Sequence, residues 1–210
     1  MRVILFCKRI AFFLLNYVSF LLLPAYRIKI DYFDKLGAIL RSLLVKKYLE
    51  SKGAVVGDNF LVGQKCMFRI QDGCRIKIGD NVVIGDLVLL NVRSGAVLVI
   101  GKGSHINFGS RVSCFGAVSI GCNTLIASYC NVLDHDHCFD LKSPPSSAKF
   151  VSEPIKIGDG VWMGTKVQVG KGVSIGDFSV IGAHSVVTKS VKSSSVYAGV
   201  PARMIRTLHE

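Results

Sequence analysis

Three hydrophobic patterns follow one another along the chain. Residues 10–23 are apolar except for Asn16 and Ser19. As a helix this stretch would reach about 21 Å, short of the roughly 20 residues that a bilayer core of about 30 Å requires. It therefore predicts an in-plane or partly inserted anchor, with a helix packed on the domain as the alternative. Leu36, Ile39, Leu40, Leu43 and Leu44 then recur with helical spacing, and Arg41, Ser42, Lys46 and Lys47 fall on the other side. This predicts an amphipathic helix ended by Gly53, its apolar stripe facing the domain, a lipid surface or the preceding apolar segment.

After Gly53 the period changes to six. Aliphatic residues, several followed by glycine, stand at Ile78, Ile84, Ile100, Ile106, Ile120, Ile126 and Val132, lapse through residues 138–154, and resume at Ile157, Met163, Val169, Ile175, Ile181 and Val187. Six matches neither an α-helix nor a flat amphipathic strand; it is the mark of a β-helix in which each six-residue rung turns one corner. The inward aliphatic residue fills a prism core, and the small residue after it permits the tight corner. The spacings 100 − 78 = 22 and 120 − 100 = 20 predict longer early coils with bulges or small loops. The chain thus divides into a helical, apolar and basic extension over 1–53 and a β-helix over 54–206, with a loop insertion at 138–154.

Charge sharpens the picture of the extension. The formal net charge is +12, and residues 1–50 hold nine Lys or Arg against three Asp or Glu, 9 − 3 = +6. A segment both basic and apolar suits an anionic membrane surface better than nucleic acid, for which the chain has no aromatic signature and no basic tail. A peripheral contact with the inner face of the cytoplasmic membrane is therefore expected, and no nucleic-acid partner. Seven cysteines without a CxxC pair argue for reduced thiols and a cytoplasmic setting, most of them as small buried hydrophobes.

The densest chemistry is Asp134-His135-Asp136-His137. Two imidazoles and two carboxylates in a row can bind zinc, act as a general base with an orienting partner, or decorate a solvated turn. Side chains alternate along an extended segment, so His135 and His137 should share a face.

The last third carries a resemblance. The runs Ile157-Gly-Asp-Gly-Val-Trp-Met-Gly, Val173-Ser-Ile-Gly, Val180-Ile-Gly-Ala, Val186-Val-Thr-Lys and Ala198-Gly-Val-Pro-Ala-Arg-Met-Ile-Arg206 resemble the hexapeptide-repeat acyltransferases, most of all the maltose and galactoside O-acetyltransferases and their relatives in bacterial surface-polysaccharide synthesis. That resemblance implies a left-handed parallel β-helix, a homotrimer, acetyl-coenzyme A in the groove between neighbouring prisms, and a histidine that deprotonates a sugar hydroxyl. It implies a base 17 residues beyond the Ile-Gly corner of its coil, and 120 + 17 gives His137, with His135 two residues short. It implies Asn107 beside the acceptor, and Trp162 and the backbone around Gly164 and Thr165 near the thioester, where an N–H can stabilise an oxyanion. Ala183, Thr188 and Lys189 would meet the pantetheine arm, and Lys189, Arg203 and Arg206 the nucleotide phosphates. Asp134 and Asp136 would orient an imidazole or contact sugar hydroxyls. Lys171, His184 and Lys192-Ser193-Ser194 depart from the family pattern and are expected to loosen turns.

No metal is expected under this reading. The alternatives are an N-acyltransferase on an amino sugar or xenobiotic, a zinc enzyme of the β-helical carbonic-anhydrase kind, which needs three converging histidines, and a non-catalytic scaffold.

Overall fold

The structure, a computed structural model, describes residues 23–138 and 149–208, with helix side chains from Leu36 onward. The anchor expected at residues 10–23, apart from the Leu23 backbone, lies outside the described residues, as do residues 139–148 of the insertion and His209. Among the described residues no helix is long and apolar enough to cross a membrane.

A helix over Leu23–Ser51 leads into the repeat region. It stops at Gly53, whose φ of +83° is the left-handed conformation glycine tolerates best. Gly53 N–H donates to Glu50 O and Ala54 N–H to Leu49 O, the paired bonds of a Schellman cap. The chain forms two compact units, Met1–Leu40 and Arg41–Glu210, so the last turns of the helix belong with the β-strands. There Arg41 Nε donates to Val62 O, Ser42 Oγ accepts from Val62 N–H, Lys46 Nζ donates to Gly57 O, and Leu49 is fully buried. The domain thus takes the Arg41–Ser42–Lys46 side of the helix. Leu43 and Leu44 of the apolar stripe stay exposed, as do Leu36, Ile39 and Leu40.

Three parallel sheets form the walls of a prism. The first holds Val55–Val56, Arg75–Ile78, Val97–Ile100, Ala117–Ile120, Ile155–Ile157 and Ser174–Ile175; the second Leu61–Val62, Val83–Ile84, His105–Ile106, Leu125–Ile126, Trp162–Met163 and Val180–Ile181; the third Met67–Ile70, Leu89–Val92, Arg111–Cys114, Asn131–Leu133, Gln168–Val169 and Val186–Val187. The chain visits the three in turn, so the expected parallel β-helix is the observed fold. Coil lengths follow the sequence spacing: Arg75 pairs with Val97, Val97 with Ala117 and Lys156 with Ser174, steps of 22, 20 and 18. One coil, Val118 to Ile155, is longer because it carries the insertion. An antiparallel hairpin, Ser195–Gly199 and Ala202–Thr207, closes the second sheet.

All thirteen aliphatic residues of the six-residue pattern are buried. A second inward position follows each of them by four residues, except after Val132, where the chain leaves the coil at Asp134 and Asp136 is exposed. This second position is small and often polar, as at Ser104, Ser110, Thr124 and Cys130. These groups donate to backbone carbonyls of the next coil: Ser104 Oγ to Gly121 O (2.6 Å), Ser110 Oγ to Ala127 O (2.9 Å), Thr124 Oγ1 to Gly158 O (2.8 Å) and Cys130 Sγ to Gly164 O (3.1 Å). Their burial therefore leaves no polar group unsatisfied.

The corners are tight for a reason other than the expected one. The left-handed residue is the third after the aliphatic one, and it is glycine in only some coils: Asn81, Asn123, Lys166 and His184 all have φ between +52° and +60°. The glycine directly after the aliphatic residue is required by space. A Cβ at Gly79 would sit 2.6 Å from Lys102 N in the next coil, inside van der Waals contact. His184 thus occupies an ordinary corner, and so does Ser194, whose N–H donates to Asp177 O. Lys171 donates from Nζ to Glu153 Oε1, fastening the end of the insertion to a corner. The departures expected to loosen turns are hydrogen-bonded parts of them.

Candidate functional site

The side chains expected to act together lie on two different edges of the prism. One edge runs between the third and first sheets, the other between the second and third.

At the third–first edge the chain leaves Asn131–Leu133 and forms His135–His137, which pairs antiparallel with Phe150–Ser152. Asp134, at the root, is fully buried. Its Oδ1 accepts from Phe115 N–H (2.8 Å) and its Oδ2 from Gly116 N–H (2.8 Å), with Ser152 Oγ at 3.4 Å. His135 Nδ1 lies 3.1 Å from Asp134 Oδ1, and Asp134 is fully buried, with no surface left to meet a ligand. With Nδ1 as the donor to this carboxylate, Nε2 of His135 is the free nitrogen. The imidazole that Asp134 orients is His135, not His137.

The two histidines share a face, as alternation requires, since both lie against the Phe150 ring: His135 at 5.6 Å and His137 at 4.3 Å between centroids. Their settings differ. The His135 side chain is mostly buried and stacked flat on Phe115 at 3.5 Å, whereas His137 is exposed. Asp136 points to the opposite side of the ribbon and lies within electrostatic reach of Lys171. The Lys171 pKa is raised chiefly by its hydrogen bond to Glu153, then by the charges of Glu153 and Asp136. Below this ribbon the buried Cys114 thiol donates to Val97 O. Burial, then the nearby Asp134 carboxylate, pushes its pKa up to about 12, so it is an inert thiol.

The second–third edge carries the other candidates. Asn107 is half-buried just after His105–Ile106, its backbone N–H given to Ile126 O. Trp162 faces outward from the second sheet and is half-exposed. Of the backbone around Gly164 and Thr165, the Gly164 N–H is spent on Ile181 O at 2.8 Å, and its glycine identity answers to space, a Cβ there falling 2.6 Å from Ala183 N. Thr165 N–H is different, for it makes no hydrogen bond among the described residues.

The reason is visible by comparison with the edge between the first and second sheets. There the equivalent N–H groups of Asp58, Cys122 and Asp159 are capped by Asp80, Asp159 and Asp177 of the next coil. At Thr165 the next coil offers Ala183, which has no acceptor, and the N–H groups of Phe108, Ser128 and Ala183 on the same edge likewise have no partner among the described residues. In the first coil of this edge Asp86 Oδ1 still caps Gln64 N–H, but at Phe108, Ser128, Thr165 and Ala183 the edge presents open amides among the described residues.

Thr188 and Lys189 follow Val186–Val187 on the third–first edge, two coils beyond the histidines, and Arg203 and Arg206 lie exposed on the terminal hairpin beside the second sheet. None of these cations is ion-paired among the described residues. Exposed cations and uncapped amides suit a phosphorylated ligand with an amide-bearing arm, and such a ligand would have to touch both edges. The sequence missed Phe115, Phe150 and Arg93. The first and last signal themselves through register, Arg93, Phe115 and His135 being 22 and 20 residues apart like the early coils.

The histidines do not form one cluster. His105 faces out of the second sheet and His184 sits on a corner after it, away from the ribbon of His135 and His137. Among the described residues no group of three or more His, Cys, Asp or Glu is disposed to hold a metal.

The fold is a parallel β-helix built on hexapeptide repeats, and residues 154–189 match the family model described as bacterial transferase hexapeptide (six repeats). The resemblance drawn from the sequence is borne out by the relatives. The chain is similar to the galactoside O-acetyltransferase of Escherichia coli (strain K12), 39% identical over 118 residues, covering 55% of this chain and 57% of that protein. It is also similar to the putative lipopolysaccharide biosynthesis O-acetyl transferase WbbJ of the same strain, 35% identical with 52% and 60% covered. The chain thus spans little more than half the length of these relatives. Among solved structures, a hexapeptide-repeat acetyltransferase from Vibrio cholerae complexed with acetyl coenzyme A has a TM-score of 0.56 at 25% identity, with 75% and 72% covered. AntD, an N-acyltransferase from Bacillus cereus in complex with dTDP and 3-hydroxybutyryl-CoA, has a TM-score of 0.65 at 24% identity, with 78% and 88% covered, and shares the fold.

Proposed function

We propose that this protein is an acetyl-CoA-dependent O-acetyltransferase acting on a sugar hydroxyl in surface-polysaccharide synthesis. The observation that carries the reading is the division of labour between edges: an accessible histidine on one, an unpartnered N–H on the other. The O-acetyltransferase names of the relatives that reach 35–39% identity support a hydroxyl over an amine acceptor.

Acetyl-CoA supplies an acyl thioester when bound. His137, exposed beside Phe150, takes the proton from the sugar hydroxyl, and His135, held by Asp134 and Phe115, keeps the ribbon's histidine face in place. Thr165 N–H donates to the oxygen on which charge develops. Asn107 and Asp136 contact the acceptor. Trp162 lines the approach to the reacting carbonyl, and Ala183, Thr188, Lys189, Arg203 and Arg206 hold the pantetheine arm and phosphates.

Because the two edges are separated by a sheet face, we take each site to be completed by a second copy, in a homotrimer. Leu125 and Trp162 are exposed neighbours on the second sheet, next to the exposed rings of Phe108 and Tyr129, which meet edge-on at 5.3 Å; the same column runs through His105 and the half-buried Val83 to the exposed Leu61. A patch of this kind supports self-association. The exposed stripe Leu36, Ile39, Leu40, Leu43 and Leu44, with the +6 charge of residues 1–50, supports docking on an anionic membrane at its cytoplasmic face.

The test is a coenzyme-A-release assay over hydroxyl and amino sugars. His137→Ala should lose about 10²- to 10⁴-fold in turnover while still binding acetyl-CoA. Full activity in that variant, with loss in His135→Ala, would exchange the two histidines; faster release with amino sugars would replace O-transfer by N-transfer.

A further inference from the structure

Arg93, Phe115 and His135 occupy the same corner position in three successive coils, because Val92 pairs with Cys114 and Ser113 with Leu133. The result is a stack: the His135 ring lies flat on Phe115, and Arg93 Cζ lies 5.0 Å over the same ring and 5.2 Å from the Phe150 ring. Phe150 thus touches the guanidinium and both imidazoles. Arg93 is exposed and has no carboxylate within ion-pair distance among the described residues. The carboxylate of its own cluster, Asp134, is buried and occupied by backbone donors. A second arginine is turned toward the same corner, Arg111 reaching along its strand to give Nε to Ser113 Oγ at 3.0 Å.

A guanidinium held by aromatic faces keeps the outer edge of its fork for a planar or tetrahedral anion, and a second arginine reaching toward the corner suits more than one negative charge. We propose that this corner is a subsite for a phosphate ester on the acceptor, the diphosphate that joins the sugar to its carrier. Resting on the acetyltransferase reading above, this makes the substrate a carrier-linked sugar, positioned by its diphosphate beside His137, rather than a free glycoside.

The test titrates the full-length protein with three probes: a nucleoside-diphosphate sugar, a polyprenyl-diphosphate sugar in detergent, and the neutral methyl glycoside of the same sugar. Calorimetric affinity and coenzyme-A release are read for wild type, Arg93→Gln and Arg93→Lys, each checked for a native melting transition. Wild type should prefer a diphosphate-linked sugar, and Arg93→Gln should weaken that binding by about 10- to 100-fold, collapsing the preference, with Arg93→Lys between them. Whichever diphosphate probe binds tighter identifies the carrier. Equal affinity of wild type and Arg93→Gln for both diphosphate probes, or a wild-type preference for the neutral glycoside, would overturn the proposal. Coenzyme-A release from neutral glycosides with no effect of Arg93 would leave the acetyltransferase standing and remove the subsite. Arg93-dependent binding with no acetyl transfer to any probe would do the reverse.

Discussion

Replacing Thr165 by proline deletes one hydrogen atom's worth of chemistry from the second–third edge and very little else. The Thr165 N–H makes no hydrogen bond among the described residues, so no bond of the coil ladder is lost. The residue after it, Lys166, has φ of +59°, as the third position of a type II turn requires, and proline is favoured at the second position of such a turn. Stability should therefore change little. If this N–H stabilises the oxyanion, its removal should lower kcat by about 10²- to 10³-fold, or about 2.7–4 kcal/mol. Thr165→Ala, which keeps the N–H, should stay close to wild type. Gly164→Ala should behave in the opposite way, losing stability because its Cβ would press on Ala183 N at 2.6 Å. The assay is steady-state coenzyme-A release with thermal unfolding alongside. A folded Thr165→Pro enzyme with full kcat would refute the assignment.

Asp134→Ala should cost about 3 kcal/mol or more in urea unfolding, since it strands the N–H groups of Phe115 and Gly116 in a partly buried site; a loss below about 1 kcal/mol would contradict the accounting. Cys114 predicts a pH effect. Its folded pKa of about 12 lies above the ordinary thiol value, so its contribution is complete below about pH 9 and is lost as pH rises toward 12, where the unfolded chain ionises and the folded one does not. At pH 10.5 this single thiol should account for about 2 kcal/mol, measured as the change with pH in the stability difference between wild type and Cys114→Ala; a difference independent of pH would contradict it. Thiol reagents at pH 8 should modify Cys122 and Cys138 before the buried Cys74, Cys114 and Cys130, as peptide mapping would show.

Much of this was legible in the sequence because a β-helix repeats its physics. The thirteen aliphatics placed by the period of six all lie in the core, and the 22- and 20-residue spacings match the coil lengths, whereas core residues off that series, such as Ile76, Leu90, Leu98 and Ile155, carry no such mark. What failed to read through was whatever depends on contact between coils. The helix could not be oriented because its polar residues, Arg41, Ser42 and Lys46, find carbonyls and an N–H on the β-helix and take the side that hydropathy assigns to solvent. Gly164 looked like a ligand-facing backbone because its spatial conflict with Ala183 spans two coils. Asp134 looked available because its partners, Phe115 and Gly116, lie one coil earlier. The Arg93–Phe115–His135 stack was present in the register but carries no motif.

The central claim is that one chain supplies the histidine edge and another the open-amide edge. Mixing unfolded His137→Ala and Thr165→Pro chains, each nearly inactive alone, and refolding them together tests it directly. If sites form between copies, about a quarter of the sites in randomly mixed trimers combine two intact edges, and the mixture should recover roughly a quarter of wild-type coenzyme-A release. Recovery no greater than the sum of the separate variants, in assemblies shown to be mixed, would place both edges of a site on one chain and contradict the account.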